Sequence, residues 1–271
     1  MSERELFFPP LAGWSALAVV VFVALFFVPA PYGRFAGRAR AATIPTRWGW
    51  LMMETPAALV PLFFYLTGRH RGTLVATVFL ALWLSHYVQR AFVFPFLLRG
   101  GERRMPVGIV AMAIVFNLIN GTFQGRWLFD LAPRYPASWL GDPRFLAGTA
   151  LFVAGWATNR RADARLRALR APGAAGESDY AIPRGGLFER ISCPNYLGEI
   201  VLWIGWALLT GSAVGASFAL WTIANLAPAG FRASANASCK MRRPFSGRSA
   251  HTVPITSEAP ARDAGLGASA G

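Results

Sequence analysis

Residues 180–203 read YAIPRGGLFERISCPNYLGEIVLW, and the rest of the chain takes its meaning from them. The first half is basic and punctuated by Gly and Pro. The second half is an apolar helix that opens at Pro194 and carries Asn195 and Glu199 four residues apart. That spacing puts an amide and a carboxylate on one helix face. A carboxylate at the mouth of a membrane span is costly unless it has a partner, so this helix is read as one wall of a polar site. Gly185-Gly186 marks a sharp turn. The chain has no Rossmann or P-loop glycine motif, so a dinucleotide would have to be held by side chains and this loop.

Composition points the same way. The 271 residues are 54% hydrophobic and 15% charged, with a mean hydropathy of +0.38, too apolar for an ordinary soluble domain. Lys240 is the only lysine, and the arginines that give the net charge of +14 stand between apolar runs. They therefore read as topology signals and headgroup contacts and not as a nucleic-acid surface. Cys193 and Cys239 supply neither a disulfide framework nor a metal site.

Seven apolar runs are long enough to be candidate spans: 11–30, 48–67, 73–98, 106–124, 144–158, 194–210 and 213–227, the fifth and seventh being short. The first is read as a retained helix and not a cleaved signal, since no basic n-region precedes it. Arginines crowd the odd connections: Arg34, Arg38, Arg40 and Arg47 in the first, Arg99, Arg103 and Arg104 in the third, and Arg160, Arg161, Arg165, Arg167, Arg170, Arg184 and Arg190 in the fifth. Positive-inside bias then places the N-terminus outside and the C-terminus in the cytoplasm. The expected fold class is an all-α integral membrane protein with seven transmembrane helices: a membrane domain over 1–228 and a disordered, low-complexity tail over 229–271.

Within the spans, polar residues gather at one depth. Glu54 lies roughly 10 Å from the cytoplasmic end of its span, and Tyr87 and Arg90 lie roughly 12 to 17 Å from theirs, at 1.5 Å per residue. Asn117, Asn120 and Gln124 form a stripe at i, i+3 and i+7. Asn159 and Asp163 meet Asn195 and Glu199 toward the cytoplasm. Each has a structural alternative: Glu54 and Arg90 as a neutralising pair, Tyr87 as an interfacial aromatic, the stripe as interhelical glue, Asn195 as a helix cap, and Asp163 as the partner of a neighbouring arginine. Together, in one half of one membrane, they favour a site. His70 and His251 are expected in a loop and in the tail. His86, although next to Tyr87, is expected to face away from it.

The opening stretch resembles the steroid 5α-reductase family, whose members carry Ile-Pro-(Arg/Gln)-Gly-Gly-Leu-Phe and then Asn-(Tyr/Phe)-Leu-Gly-Glu-Ile with a Trp. Further matches are Trp50, Glu54-Thr55-Pro56, His86-Tyr87 with Arg90, Asn120-Gly121 with Gln124-Gly125, Asn159, Asp163, Arg170 before Pro172-Gly173, and Tyr180. The resemblance runs over roughly residues 11–228. It implies a seven-span oxidoreductase acting on CH-CH bonds, in which NADPH reduces the 4,5 double bond of a 3-oxo-Δ4 steroid. Carried over, Glu54 and Tyr87 become the catalytic pair at the steroid carbonyl. Trp50, Arg90, Arg99, Asn120, Asn159, Asp163, Arg170, Tyr180, Asn195 and Glu199 become cofactor contacts, the arginines suiting phosphates. No metal is implied. The partners are a steroid-like lipid and the surrounding membrane, with no nucleic acid, and a monomer is favoured. The membrane would be a bacterial inner membrane, or the endoplasmic reticulum in a eukaryote.

The chain departs from the family pattern at three places. Met53 stands where the family has Gln, Ala181 where it has a basic residue, and 229–271 (AGFRASANASCKMRRPFSGRSAHTVPITSEAPARDAGLGASAG) where it has an Arg, a His-His pair and aromatic-Tyr and Tyr-Pro pairs. A frameshift in the source gene would produce so abrupt a change. The PNYLGE run is also similar to S-adenosylmethionine-dependent membrane methyltransferases and to sterol reductases acting on other double bonds, and both remain alternatives. A transporter would show internal repeats and polar residues continuing to the outer face; the sequence has neither.

Overall fold

The computed structural model describes residues 2–28, 42–99, 103–169, 183 and 185–242, the side chains of 235–242 excepted. The helices are α1 (Glu3–Phe27), α2 (Thr46–Thr67), α3 (Leu74–Val88), α4 (Phe94–Leu97), α5 (Val107–Arg126), α6 (Pro143–Ala168), α7 (Pro194–Thr210) and α8 (Ala213–Arg242). A π-helical turn, Gln89–Val93, joins α3 to α4, and another, Trp127–Leu131, extends α5. Four helical segments are long and apolar enough to cross a membrane: Glu3–Phe27, Thr46–Thr67, Val107–Leu131 and Ala213–Ser234. The other three expected spans also fold as helices. However, α3 is 15 residues long and α7 17, while α6 carries four arginines and Asp163 in its second half.

Three helices run past their apolar runs, and one element differs from expectation. The α1 helix begins at Glu3 and not at residue 11, because Ser2 and Glu5 form a reciprocal capping box (Ser2 N to Glu5 Oε2, 2.6 Å; Glu5 N to Ser2 Oγ, 3.3 Å). The α6 helix runs to Ala168, past the end of its apolar run at 158, the arginine-rich stretch continuing it as the helical extension open to it in the sequence. The α8 helix passes through Pro228 to Arg242, carried by Ala, Arg, Lys and Met; residues 243–271 lie outside the described part. Finally, the fold is not purely helical. Strands β1 (Thr43–Pro45) and β2 (Arg104–Pro106) pair antiparallel with Ile44 opposite Met105. Pro45 and Pro106 end the strands, since proline fixes φ and offers no ladder donor, and each leads directly into a helix. Arg104 reinforces the ribbon from its side chain to Thr43 O (2.6 Å) and Oγ1 (2.7 Å).

That ribbon starts α2 and α5 side by side. Gly121 then lies against Val60 and Pro61, and Gly125 against Phe64, so the two helices stay in contact along their length. A closer approach joins α6 and α7. A Cβ on Gly155 would stand 2.6 Å from the carbonyl oxygen of Gly198, and one on Gly148 2.7 Å from that of Gly205. With the glycines seven residues apart on each helix, the two backbones touch at matching points, as small residues permit. Between these pairs sits an aromatic core. Trp203 lies 4.3 Å from Phe218 and 5.2 Å from Trp83, and Trp83 lies 5.1 Å from Trp206, centroid to centroid. Two of the indoles satisfy their N–H across helices, Trp83 on Ala57 O (2.8 Å) and Trp206 on Gln124 Oε1 (3.0 Å).

Candidate active site

At the ribbon end of the bundle, two clusters of polar side chains flank Tyr87. The first is centred on Arg90. The π-helical turn inserts an extra residue after α3, as such turns often do at functional sites, and Arg90 projects from it between α2 and α6. Its Nε lies 3.9 Å from Glu54 Oε1 and its Nη1 3.5 Å from Asp163 Oδ2. The guanidinium stacks on Trp50 at 4.6 Å and on Phe94 at 5.1 Å, a cation–π seat that fixes its plane.

The second cluster is centred on Glu199. One carboxylate oxygen accepts from Asn159 Nδ2 at 2.8 Å; the other faces His86 Nε2 and Trp203 Nε1, both at 3.4 Å. Asn159 also donates to the backbone oxygen of Asn195 at 3.1 Å. The glycine contacts explain this convergence, because Asn159 follows Gly155 by one turn and Glu199 follows Gly198 directly. Tyr87 stands between the clusters, its ring 4.8 Å from Trp83, 5.0 Å from His86 and 5.7 Å from Trp203. The residue is 4% exposed, yet its hydroxyl has no hydrogen-bond partner among the described residues.

Of the residues expected at the site, Trp50, Glu54, Tyr87, Arg90, Asn159, Asp163, Asn195 and Glu199 come together here. Arg99 reaches from the end of α4 to the carbonyl of Ala168 on α6 (3.5 Å). Arg170 and Tyr180 fall outside the described residues. On α5 the polar stripe divides. Asn117 donates to Met53 O and Gln124 to Val214 O, both at 2.6 Å, so these two bind helices together. Asn120 between them is 2% exposed and its Nδ2 has no partner among the described residues.

His86 does not face away from Tyr87, as expected, but joins it at 2% exposure. The signal for this was present: His86 stands three residues after Trp83 and seven after Phe79, on the same buried face of α3. The Trp203 indole is a second participant not assigned a role in advance, four residues after Glu199 and so on its face.

The chemistry of the cluster is that of three carboxylates around one guanidinium and one imidazole, enclosed by aromatic rings within a helical, multi-pass membrane protein. Comparison with known proteins gives that class a family. The profile of 3-oxo-5-alpha-steroid 4-dehydrogenase matches residues 103–243. The bovine 3-oxo-5-alpha-steroid 4-dehydrogenase 1 (Bos taurus) is 43% identical over 211 residues, covering 76% of this chain and 80% of that protein. The cotton steroid 5-alpha-reductase DET2 (Gossypium hirsutum) is 39% identical over 230 residues, covering 84% and 88%. The pig 3-oxo-5-alpha-steroid 4-dehydrogenase 2 (Sus scrofa) is 41% identical over 220 residues, covering 79% and 84%. The chain belongs to the 3-oxo-5-alpha-steroid 4-dehydrogenase family, the steroid 5α-reductases. These are oxidoreductases acting on the C=C bond of a 3-oxo-Δ4 steroid.

Proposed function

We propose that this chain reduces the 4,5 double bond of 3-oxo-Δ4 steroids at the expense of NADPH, with Tyr87 polarising the C3 carbonyl and Glu54 orienting that contact. The observation that carries the reading is the pairing of two sparsely bonded groups in an aromatic enclosure: the Tyr87 hydroxyl, without a hydrogen-bond partner among the described residues, and the Glu54 carboxylate, whose nearest cation is Arg90 at 3.9 Å. A ligand oxygen placed between them would give both a partner.

The chemistry then follows from charge. Hydride addition at C5 of the enone moves negative charge through C4 onto the C3 oxygen. A hydroxyl donor fixed at that oxygen stabilises the transition state more than the ground state. A phenol suits an enclosed site because it donates without carrying charge. Glu54 accepts from the Tyr87 hydroxyl until the steroid carbonyl takes over that single donor, or when protonated donates to the oxygen itself. A proton from solvent water, added at C4, completes the reduction.

The remaining residues fit a dinucleotide by the sign of their groups. Asp163, Asn195 and Glu199 offer acceptors at the polar end, which suit ribose hydroxyls and a carboxamide. Asn120 Nδ2 and Arg160 Nη1 are buried donors without partners among the described residues. Asn159 would share its amide with the ligand, and Trp50 would wall the pocket beside Arg90. Arg99, Arg170 and Tyr180 would complete the phosphate side. NADPH, when bound there, supplies the hydride.

The surrounding architecture we propose is seven spans, with the N-terminus outside and the site opening to the cytoplasm. The membrane domain covers 1–228, and the segment from 229 contributes little to the fold. The seven long helices support the span count, and the convergence of site residues at the end rich in arginine supports the orientation.

Product formation from a 3-oxo-Δ4 steroid with NADPH tests the function. Tyr87→Phe is expected to keep NADPH binding and lower kcat about 10²- to 10³-fold, the scale for losing one such donor. Parent-level turnover by both Tyr87→Phe and Glu54→Gln would remove the two residues from the mechanism.

A further inference from the structure

Arg90 contacts four residues from three elements: Glu54 and Trp50 on α2, Phe94 on α4 and Asp163 on α6. Its side chain is 19% exposed. Both carboxylates stand off, at 3.9 and 3.5 Å, longer than the roughly 2.7 to 2.9 Å of a close charge-assisted hydrogen bond. Of the five N–H donors a guanidinium offers, the bond to Asp163 is the one made among the described residues. Of the three carboxylates around this cation, Glu54 and Asp163 stand within 4 Å; it is fully committed to neither, while its plane is held on two aromatic faces.

We propose that Arg90 is a positioning residue that couples the two halves of the site, so that engagement of Asp163 by the cofactor hands the guanidinium to Glu54 and prepares the steroid side. This rests on the proposed reading, in which Asp163 faces the cofactor and Glu54 the steroid carbonyl. The physical step is a competition. A ligand donor bonding to Asp163 satisfies that carboxylate and weakens its pull on Arg90. The guanidinium, free to slide over Trp50 and Phe94, closes on Glu54. That fixes the Glu54 oxygens near Tyr87 and removes part of the freedom that steroid binding must otherwise freeze out. Coupling of this kind is reciprocal, so bound steroid tightens the cofactor by the same factor.

The test uses the full chain in detergent and reads binding by intrinsic tryptophan fluorescence. Its ligands are NADPH and a 4,5-saturated 3-oxo steroid, which cannot be reduced further. In the parent protein each ligand is expected to tighten the other by about 10-fold, within the ~5- to 150-fold range of such couplings. Asp163→Asn removes the competing charge that stands within 4 Å and leaves Glu54 as the nearest carboxylate to Arg90. Steroid affinity without NADPH should then rise toward the parent's NADPH-bound value, an effect that a merely structural salt bridge would not give. Arg90→Gln should bring the coupling factor to about 1, and Arg90→Lys, which keeps the charge but loses the stacked plane, should restore part of it.

The proposal is overturned if the parent shows no coupling, if Arg90→Gln retains it, or if Asp163→Asn leaves steroid affinity unchanged or weaker. Should Arg90→Gln fail to fold, the Asp163→Asn outcome decides alone. If Glu54→Gln leaves steroid affinity untouched and Asp163→Asn leaves NADPH affinity untouched, the assignment of the two sides is what has failed. If both affinities shift and the coupling persists without Arg90, only the role of Arg90 is wrong.

Discussion

The two ends of the bundle handle charge in opposite ways. At the end away from the ribbon, Asp130 accepts from Arg69 Nε at 2.9 Å and from Arg126, and Arg126 in turn binds Glu3 at the start of α1. His70 meets the Ala132 carbonyl at 2.8 Å, and the Tyr135 hydroxyl donates to Thr210 O at 2.7 Å. Just outside, the Arg144 hydrogen bonds hold the half-buried Asp142 carboxyl down at about 2. At the ribbon end, among the described residues, Glu54 has one distant partner and the Tyr87 hydroxyl has none. The first arrangement closes a structure. The second leaves polar groups to be completed by something that binds, at a cost in stability that sites commonly carry.

The contrast can be broken by substitutions at both ends. Asp130→Ala should lower unfolding stability by about 2 kcal/mol, reduced from the figure for a fully buried pair because Arg69 is largely exposed. Turnover of the folded fraction should not change. Thermal melting in detergent alongside specific activity separates the two, and a selective loss of activity would mean that the far end belongs to the site. Asn120→Leu should do the reverse. Replacing a buried amide whose Nδ2 lacks a partner by an apolar group of similar size should raise stability by about 1 kcal/mol, while NADPH or steroid affinity falls. A loss of stability would show that the amide is already satisfied. The smallest effect is expected from Ser2→Ala, which removes the α1 cap and should cost about 0.5 to 1 kcal/mol, read as a shift in melting temperature with KM unchanged.

How far the sequence carried the fold depended on whether a feature was local. Apolar runs located every long helix, because burial in lipid or in a bundle writes itself as continuous hydropathy. The ribbon was not legible: its strands are three residues each and stand some sixty residues apart, so only tertiary proximity pairs them. The π-helical turn that aims Arg90 leaves no mark in the period of the sequence. At the site, Glu54, Asn159, Asp163 and Glu199 could be read as ionisable or amide groups in apolar surroundings. His86 was misplaced because adjacent residues on a helix were assumed to diverge, whereas α3 buries a face wide enough to hold both His86 and Tyr87. Asn117 and Gln124 show the converse. Their polar stripe looked like the site, yet it is used to bind α5 to α2, α7 and α8.

The contact of α6 with α7 also limits how this enzyme can move. Where side chains interleave, helices can slide by exchanging rotamers. Where backbone lies on backbone at Gly148 with Gly205 and at Gly155 with Gly198, no rotamers are available to exchange. Asn159 and Glu199 therefore form the fixed jaw of a vice, set by main-chain geometry. Any closing around a substrate must come from the opposite jaw, where α3 leaves its regular winding and Arg90 rests on the flat faces of two rings.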